Sequence, residues 1–177
     1  MFDHPVYIRM PTESNKPYFK NSSSAEVVVS ALIGAQRTGW VRLHGFIVLP
    51  DALEMVCTPI KQGISGVVAH IQSQAIPLLT ILLPDAALIW ERDFVYTHLT
   101  TQRALDARLN MLLLSPVANG ITQTAEEFPY SSANPRYQAT VSVFAGFQMV
   151  DEASVAITTE ANGATRVKSP PVHDAGD

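Results

Sequence analysis

The chain has 177 residues, 47% of them hydrophobic, which suits one domain with a real core. No apolar run reaches the ~18 residues of a membrane span, the longest, Ala75 to Leu83, being interrupted by Pro77 and Thr80. The N-terminal MFDHPVYIRM lacks both a basic and an apolar leader region, so the expectation is a cytoplasmic protein with no membrane partner. The formal charge of −4 argues against nucleic-acid binding by bulk attraction. Residues 1–137 hold ten Lys+Arg against eleven Asp+Glu, and residues 138–177 hold two against five. Any nucleic-acid contact must therefore gather its few bases locally.

In chain order, Val6 to Met10 is a β-prone run between Pro5 and Pro11 and predicts a first strand. Ser22, Ser23 and Ser24 are candidate caps for an amphipathic helix over Ala25 to Gln36, with Val28, Ala31, Leu32 and Ala35 on one face and Gly39 as its stop. Leu43 to Pro59, LHGFIVLPDALEMVCTP, places two apolar runs around Pro50-Asp51 and predicts a β-hairpin central to the sheet. Ile64, Val67, Val68 and Ile71 predict a second helix over Ile64 to Gln74 that Pro77 ends. Leu78 to Leu83 then fits a strand or a buried turn. Thr100 and Thr101 can cap a third helix carrying Leu105, Leu109, Leu112 and Leu113, which Pro116 terminates.

Beyond Tyr137, Val141 to Val150 is apolar enough to pack as a strand or helix, whereas Asn162 to Asp177 has no apolar rhythm. The expected division is a domain over 1–137, an extension packed on it over 138–160, and a disordered tail over 161–177. Cys57, the one cysteine, lies in an apolar strand pattern and reads as a buried small hydrophobe.

Several of these stretches together resemble the HUH single-tyrosine transposases, most nearly the REP-associated tyrosine transposases. Leu49 to Glu54 lies on that family's M-P-N-H-v-H, with Ala52 and Glu54 in place of the two histidines. Ala86 to Phe94, AALIWERDF, resembles the family's l-W-q-r-x-f strand through Trp90 and Phe94, which implies a further strand there, and Tyr18-Phe19 resembles the aromatic that follows the first strand. Met111 to Ile121 lies on Y-I-h-l-N-P-V-x-x-G-L, keeping Pro116, Val117 and Gly120 but carrying Met111 for the tyrosine and Ser115 for the asparagine. Phe128 to Ser132, FPYSS, lies on Y-P-W-S-S. The resemblance covers roughly Val6 to Tyr137.

It implies an α+β fold: a ferredoxin-like antiparallel sheet of four or five strands with helices mainly on one face. It also implies chemistry in which a tyrosine attacks a DNA phosphodiester while a metal held by the histidines polarises the phosphate. Tyr96 is the nearest candidate nucleophile, although Val95 stands where the tyrosine usually does. Ala52 offers no ligand atom, so Mg²⁺ or Mn²⁺ would need Glu54 with His44, and His98 as a third donor; otherwise no cofactor is expected. Arg9, Arg42, Arg92, Arg103, Arg108 and Arg136, with Trp40, Tyr96 and Tyr137 as stacking platforms, are the candidate contacts to single-stranded or hairpin DNA. The competing reading makes these arginines ordinary surface partners of nearby acids, as the i,i+3 spacing would allow for Arg103 with Asp106. Three functions follow: a transposase-like protein that binds DNA without cutting it, a protein-interaction or regulatory module on the same fold, as a homodimer or with a protein partner, or an active transposase.

Overall fold

A computed structural model describes residues 4–147. Contacts group residues 1–144 into one compact unit and 145–177 into another. The expected disordered tail, and most of the extension before it, lie outside the described residues.

The first unit runs β1 (Val6–Pro11), α1 (Ser22–Arg37), β2 (Val41–Leu49), β3 (Ala52–Pro59), α2 (Gly63–Leu82), β4 (Val95–His98) and α3 (Gln102–Ala118). The four strands form one antiparallel sheet in the order β2-β3-β1-β4. That is the ferredoxin-like arrangement, an α+β layer fold. Alternation along the strands decides what each face carries. Val6, Ile8 and Met10 of β1 and Leu53, Met55 and Cys57 of β3 enter a dry core with α1 and α2. Tyr7 and Arg9, with Glu54 and Val56 opposite them, point to the other face, where α3 crosses β2 and β3.

Local chemistry explains most element ends. The Asn21 side chain accepts from the Ser23 and Ser24 N–H groups, so the cap of α1 is Asn21 rather than one of the three serines. Gly39, at φ 76°, turns the chain out of α1 in a left-handed conformation that a side chain would strain. Thr101 caps α3 by accepting from Ala104 N–H.

Four expectations are corrected. Pro77 does not end α2 but sits inside it, and Leu78 to Leu82 is helix. The lost hydrogen bond would fall to the carbonyl of Ser73, an exposed residue, while Ala75 and Leu79 on either side of Pro77 are fully buried; that burial outweighs the penalty of about 3 kcal/mol for an interior proline. Pro116 likewise lies in the last turn of α3. Residues 86–94 form no regular strand: Trp90 bridges Thr12, its ring 5.0 Å from that of Phe19. The hairpin is only half central, since β2 is a sheet edge.

That edge is nevertheless closed. Val48 N–H donates to the Tyr130 carbonyl, Ser132 N–H to the Phe46 carbonyl, and Ser142 N–H to the Leu43 carbonyl. The FPYSS segment and the chain just after Tyr137 therefore cover backbone groups that would otherwise be an open edge. With 20 residues and no Asp, Glu, Lys or Arg, α2 is long and apolar enough to cross a membrane by length and composition, but its buried stripe, Ile64 to Leu79, belongs to the core.

Candidate functional site

The two positions where the resemblance places metal ligands lie on the sheet face under α3. Ala52 and Glu54, two residues apart on β3, share that face. Ala52 is fully buried and has no donor atom. Glu54 is held from two sides: Tyr7 O–H donates to one carboxylate oxygen, and Arg9 Nη1 lies 2.9 Å from the other. Its side chain is 13% exposed, so this is a part-buried ion pair closed by a phenol. Arg9 also approaches Asp51 in the hairpin turn, at 3.9 Å. The Tyr7 phenol is pushed well above the ordinary tyrosine range, first by burial and then by the bond it donates to Glu54.

Above Tyr7 lies Arg108 of α3, its guanidinium carbon 4.2 Å from the ring centre. The helix comes this close because Gly45 has no side chain: a Cβ there would stand 2.6 Å from Leu109 Cδ2. Three residues beyond Arg108 is Met111, 63% exposed, the residue that lies on the tyrosine of the resembled Y-I-h-l-N-P-V motif.

His44 does not reach Glu54. It sits at the bulge where β2 slips between Leu43 and Gly45, and both of its ring nitrogens have partners. Nδ1 is 2.6 Å from the Ser142 carbonyl, which can only accept, so Nδ1 carries the proton. Nε2 then accepts from the Thr58 hydroxyl at 2.8 Å. Burial holds this imidazole below the usual histidine range. His98 bonds instead to His4, nitrogen to nitrogen at 3.0 Å. Among the described residues no group of three His, Cys, Asp or Glu side chains converges as a metal site. The residues at the family's ligand positions do not fit a divalent metal.

Tyr96 is on a strand rather than a helix, opposite Ile8 in the β1–β4 ladder. Ile8 faces the α1/α2 core and Arg9 the α3 side, so Tyr96 and Glu54 lie on opposite faces of the sheet. The phenol is 51% exposed, with the rings of Phe94 and His98 nearby.

The proposed DNA contacts divide. Arg42, exposed and opposite Thr58, shares the α3 face with Arg9. Arg136 reaches Glu26 at 3.6 Å and lies over Tyr137, and exposed Arg92 stands in the loop before β4. Trp40 stacks on His70 with centroids 4.1 Å apart, and Lys61 approaches the same ring, so it is already engaged. Asp106 accepts from Gln102. Sequence reasoning missed Tyr7, and it named Arg108 only as one of several scattered arginines, not as a partner of Tyr7. The strict alternation Val6-Tyr7-Ile8-Arg9 placed Tyr7 beside Arg9, a usable signal, but nothing local to α3 showed that Arg108 would lie over the Tyr7 ring.

No protein-family model and no curated protein matches this chain in sequence. Among solved structures, it is similar to a REP-associated tyrosine transposase bound to a REP hairpin, with 15% identity, a TM-score of 0.63, and 83% of this chain and 92% of that one covered. A protein from Deinococcus radiodurans R1 described as a transposase superposes at a TM-score of 0.47 and 10% identity over 66% of this chain and 89% of its own, too loosely to carry an argument. At such identity the likeness is one of architecture, and the chain carries the fold of a REP-associated tyrosine transposase.

Proposed function

We propose that this is a transposase-type protein that holds single-stranded or hairpin DNA across the α3 face without cutting it. The observation that carries this reading is the fate of Glu54. On the strand where the family holds a metal, the carboxylate is neutralised by Arg9 and closed by Tyr7. Ala52 supplies no second ligand, and Tyr96 lies across the sheet. A Lewis acid and a nucleophile that never meet leave phosphodiester cleavage by this route without its means.

DNA binding itself draws support from two points. The α3 face carries Arg42, Arg9 and Arg108, and the fold is shared with a protein whose structure contains a REP hairpin. Phosphate contact would rest on these few cations, so affinity should fall steeply with salt. The protein would work in the cytoplasm, where DNA is accessible. A second reading, a protein-interaction module, is favoured by one observation: the last turns of α2 leave large apolar side chains in solvent.

The test is fluorescence anisotropy with a labelled DNA hairpin and a single strand at low and moderate salt. Binding at low salt that weakens as salt rises supports the proposal; no binding at the lowest salt rejects it. Incubation of single-stranded DNA with Mn²⁺ and protein should give no covalent adduct. An adduct lost in Tyr96→Phe would instead establish an active transposase.

A further inference from the structure

The arginines on the α3 face are not equivalent. Arg9 lies 2.9 Å from the Glu54 carboxylate through one terminal nitrogen, and its other is 3.9 Å from Asp51. Two carboxylates thus already share its charge. A phosphate that took Arg9 would leave Glu54, only 13% exposed, without its ion-pair partner. Arg108 differs. Its guanidinium carbon stands 4.2 Å from the centre of the Tyr7 ring, and it makes no ion pair among the described residues. Contact with a π face uses the positive charge of a guanidinium and leaves its N–H donors for another partner.

The ring beneath Arg108 is a fixed support. Tyr7 is 6% exposed, sits in the middle of the sheet on β1 opposite Val56, and is tied at its far end by the bond that its hydroxyl donates to Glu54. A free arginine on a helix surface loses much rotamer freedom when it takes a ligand. Lying on a ring that cannot move, the Arg108 side chain has lost part of that freedom beforehand, and a ligand meets it already ordered. Glu54 therefore acts on the two cations in different ways: it occupies Arg9 directly, and through the phenol it steadies the platform under Arg108.

We propose that Arg108, laid on Tyr7, is the cation of this face that takes a DNA backbone phosphate, with Tyr7 as its positioning residue, while Arg9 stays with Glu54. The group recognised is a phosphodiester, met by charge and N–H donors and not by base edges, so the contact carries no sequence preference. This rests on the DNA reading proposed above and assigns its phosphate contact to one residue.

Fluorescence anisotropy with two labelled DNA hairpins of unrelated sequence, titrated at several salt concentrations, tests it. Arg108→Gln should weaken both hairpins alike, roughly fivefold to tenfold at low salt, and lower the slope of log affinity against log salt by about one. Arg37→Gln, which removes the same charge from the exposed end of α1, should have a much smaller effect. Tyr7→Leu should lose most of what Arg108→Gln loses, whereas Tyr7→Phe, which keeps the ring, should retain most of the affinity; a purely structural role for the hydroxyl would make Tyr7→Phe the equal of Tyr7→Leu. Arg9→Met with Glu54→Leu leaves the net charge unchanged and should weaken binding less than Arg108→Gln. A natural chain that binds neither hairpin at the lowest salt overturns the DNA reading and this assignment together. If the natural chain binds, the assignment alone falls when Arg108→Gln matches Arg37→Gln, when its loss is confined to one sequence, when Tyr7→Phe binds as poorly as Tyr7→Leu, or when the Arg9 and Glu54 double variant loses as much as Arg108→Gln.

Discussion

The two faces of β3 are separated by one backbone and obey different physics. Leu53, Met55 and Cys57 point into a dry, close-packed layer against α1 and α2. Ala52, Glu54, Val56 and Thr58 point to a layer that holds an ion pair, a phenol, an imidazole and a stacked guanidinium. The first layer gains from contact with anything apolar of the right volume. The second works only if each polar group finds its own partner. The dry face therefore maintains the fold, and the polar face is where a change of function can be written. Ala52 and Glu54 set the chemistry available on that face, while β3 takes its place in the sheet through its backbone ladders with β1 and β2.

If this division holds, the largest loss of stability comes from the dry face. Phe46→Ala removes a fully buried ring packed against Tyr137 and should cost about 3–5 kcal/mol, read as a lowered urea midpoint at unchanged slope. On the polar face, Arg9→Ala leaves a part-buried carboxylate with only the Tyr7 hydroxyl and should cost about 2 kcal/mol. Removing both charges in Arg9→Met with Glu54→Leu should recover most of that loss, because no charge is then left unpaired. A double variant as unstable as Arg9→Ala would mean the pair does more for the fold than neutralise itself.

Such contrasts also show how far a linear sequence can be read. The hydrophobic alternation of β1 and β3 and the apolar spacing of α1 make the sheet and its dry core plain from sequence, because each of those signals is local and repeats. The FPYSS resemblance was visible too, but its role in closing the β2 edge required knowing that β2 is an edge. Pro77 was misread because proline's penalty is local, while the burial of Ala75 and Leu79 that overrides it comes from packing against the rest of the fold. The site was harder still. That Arg9 meets Glu54, and that Tyr96 lies on the opposite face, depend on strand register, and register is a relation between segments 45 or more residues apart.

A smaller effect separates the two partners of Glu54. Tyr7→Phe deletes one hydrogen bond while Arg9 remains, and should cost about 1 kcal/mol near neutral pH. The pH dependence sharpens this. The folded phenol is held well above its ordinary value of about 10, so above that pH the unfolded chain releases a proton that the folded chain retains. The folded state then binds more protons, and stability falls as pH rises through and beyond that value. Urea unfolding between pH 9 and 11 should show this decline in the natural chain and a shallower one in Tyr7→Phe. Equal slopes would place the phenol in contact with water.

The smallest expected effect lies at the other end of the same face and has the opposite sign. Burial is the main cause holding His44 below the ordinary histidine value of about 6.5, with the charge of Arg42 acting in the same direction and the Ser142 carbonyl against it. Between that value and the lower folded one, the unfolded chain takes up a proton that the folded chain refuses. The stability that the neutral imidazole provides is therefore present above about pH 6.5 and is lost as pH falls through the window below it. His44→Gln keeps one donor for the Ser142 carbonyl and one acceptor for the Thr58 hydroxyl, and carries no titrating group. Unfolding midpoints from pH 7.5 down to 5 should thus fall less steeply in the variant than in the natural chain. Parallel curves would mean that the imidazole protonates as freely in the fold as outside it, and that the polar face is open to water at the His44 end.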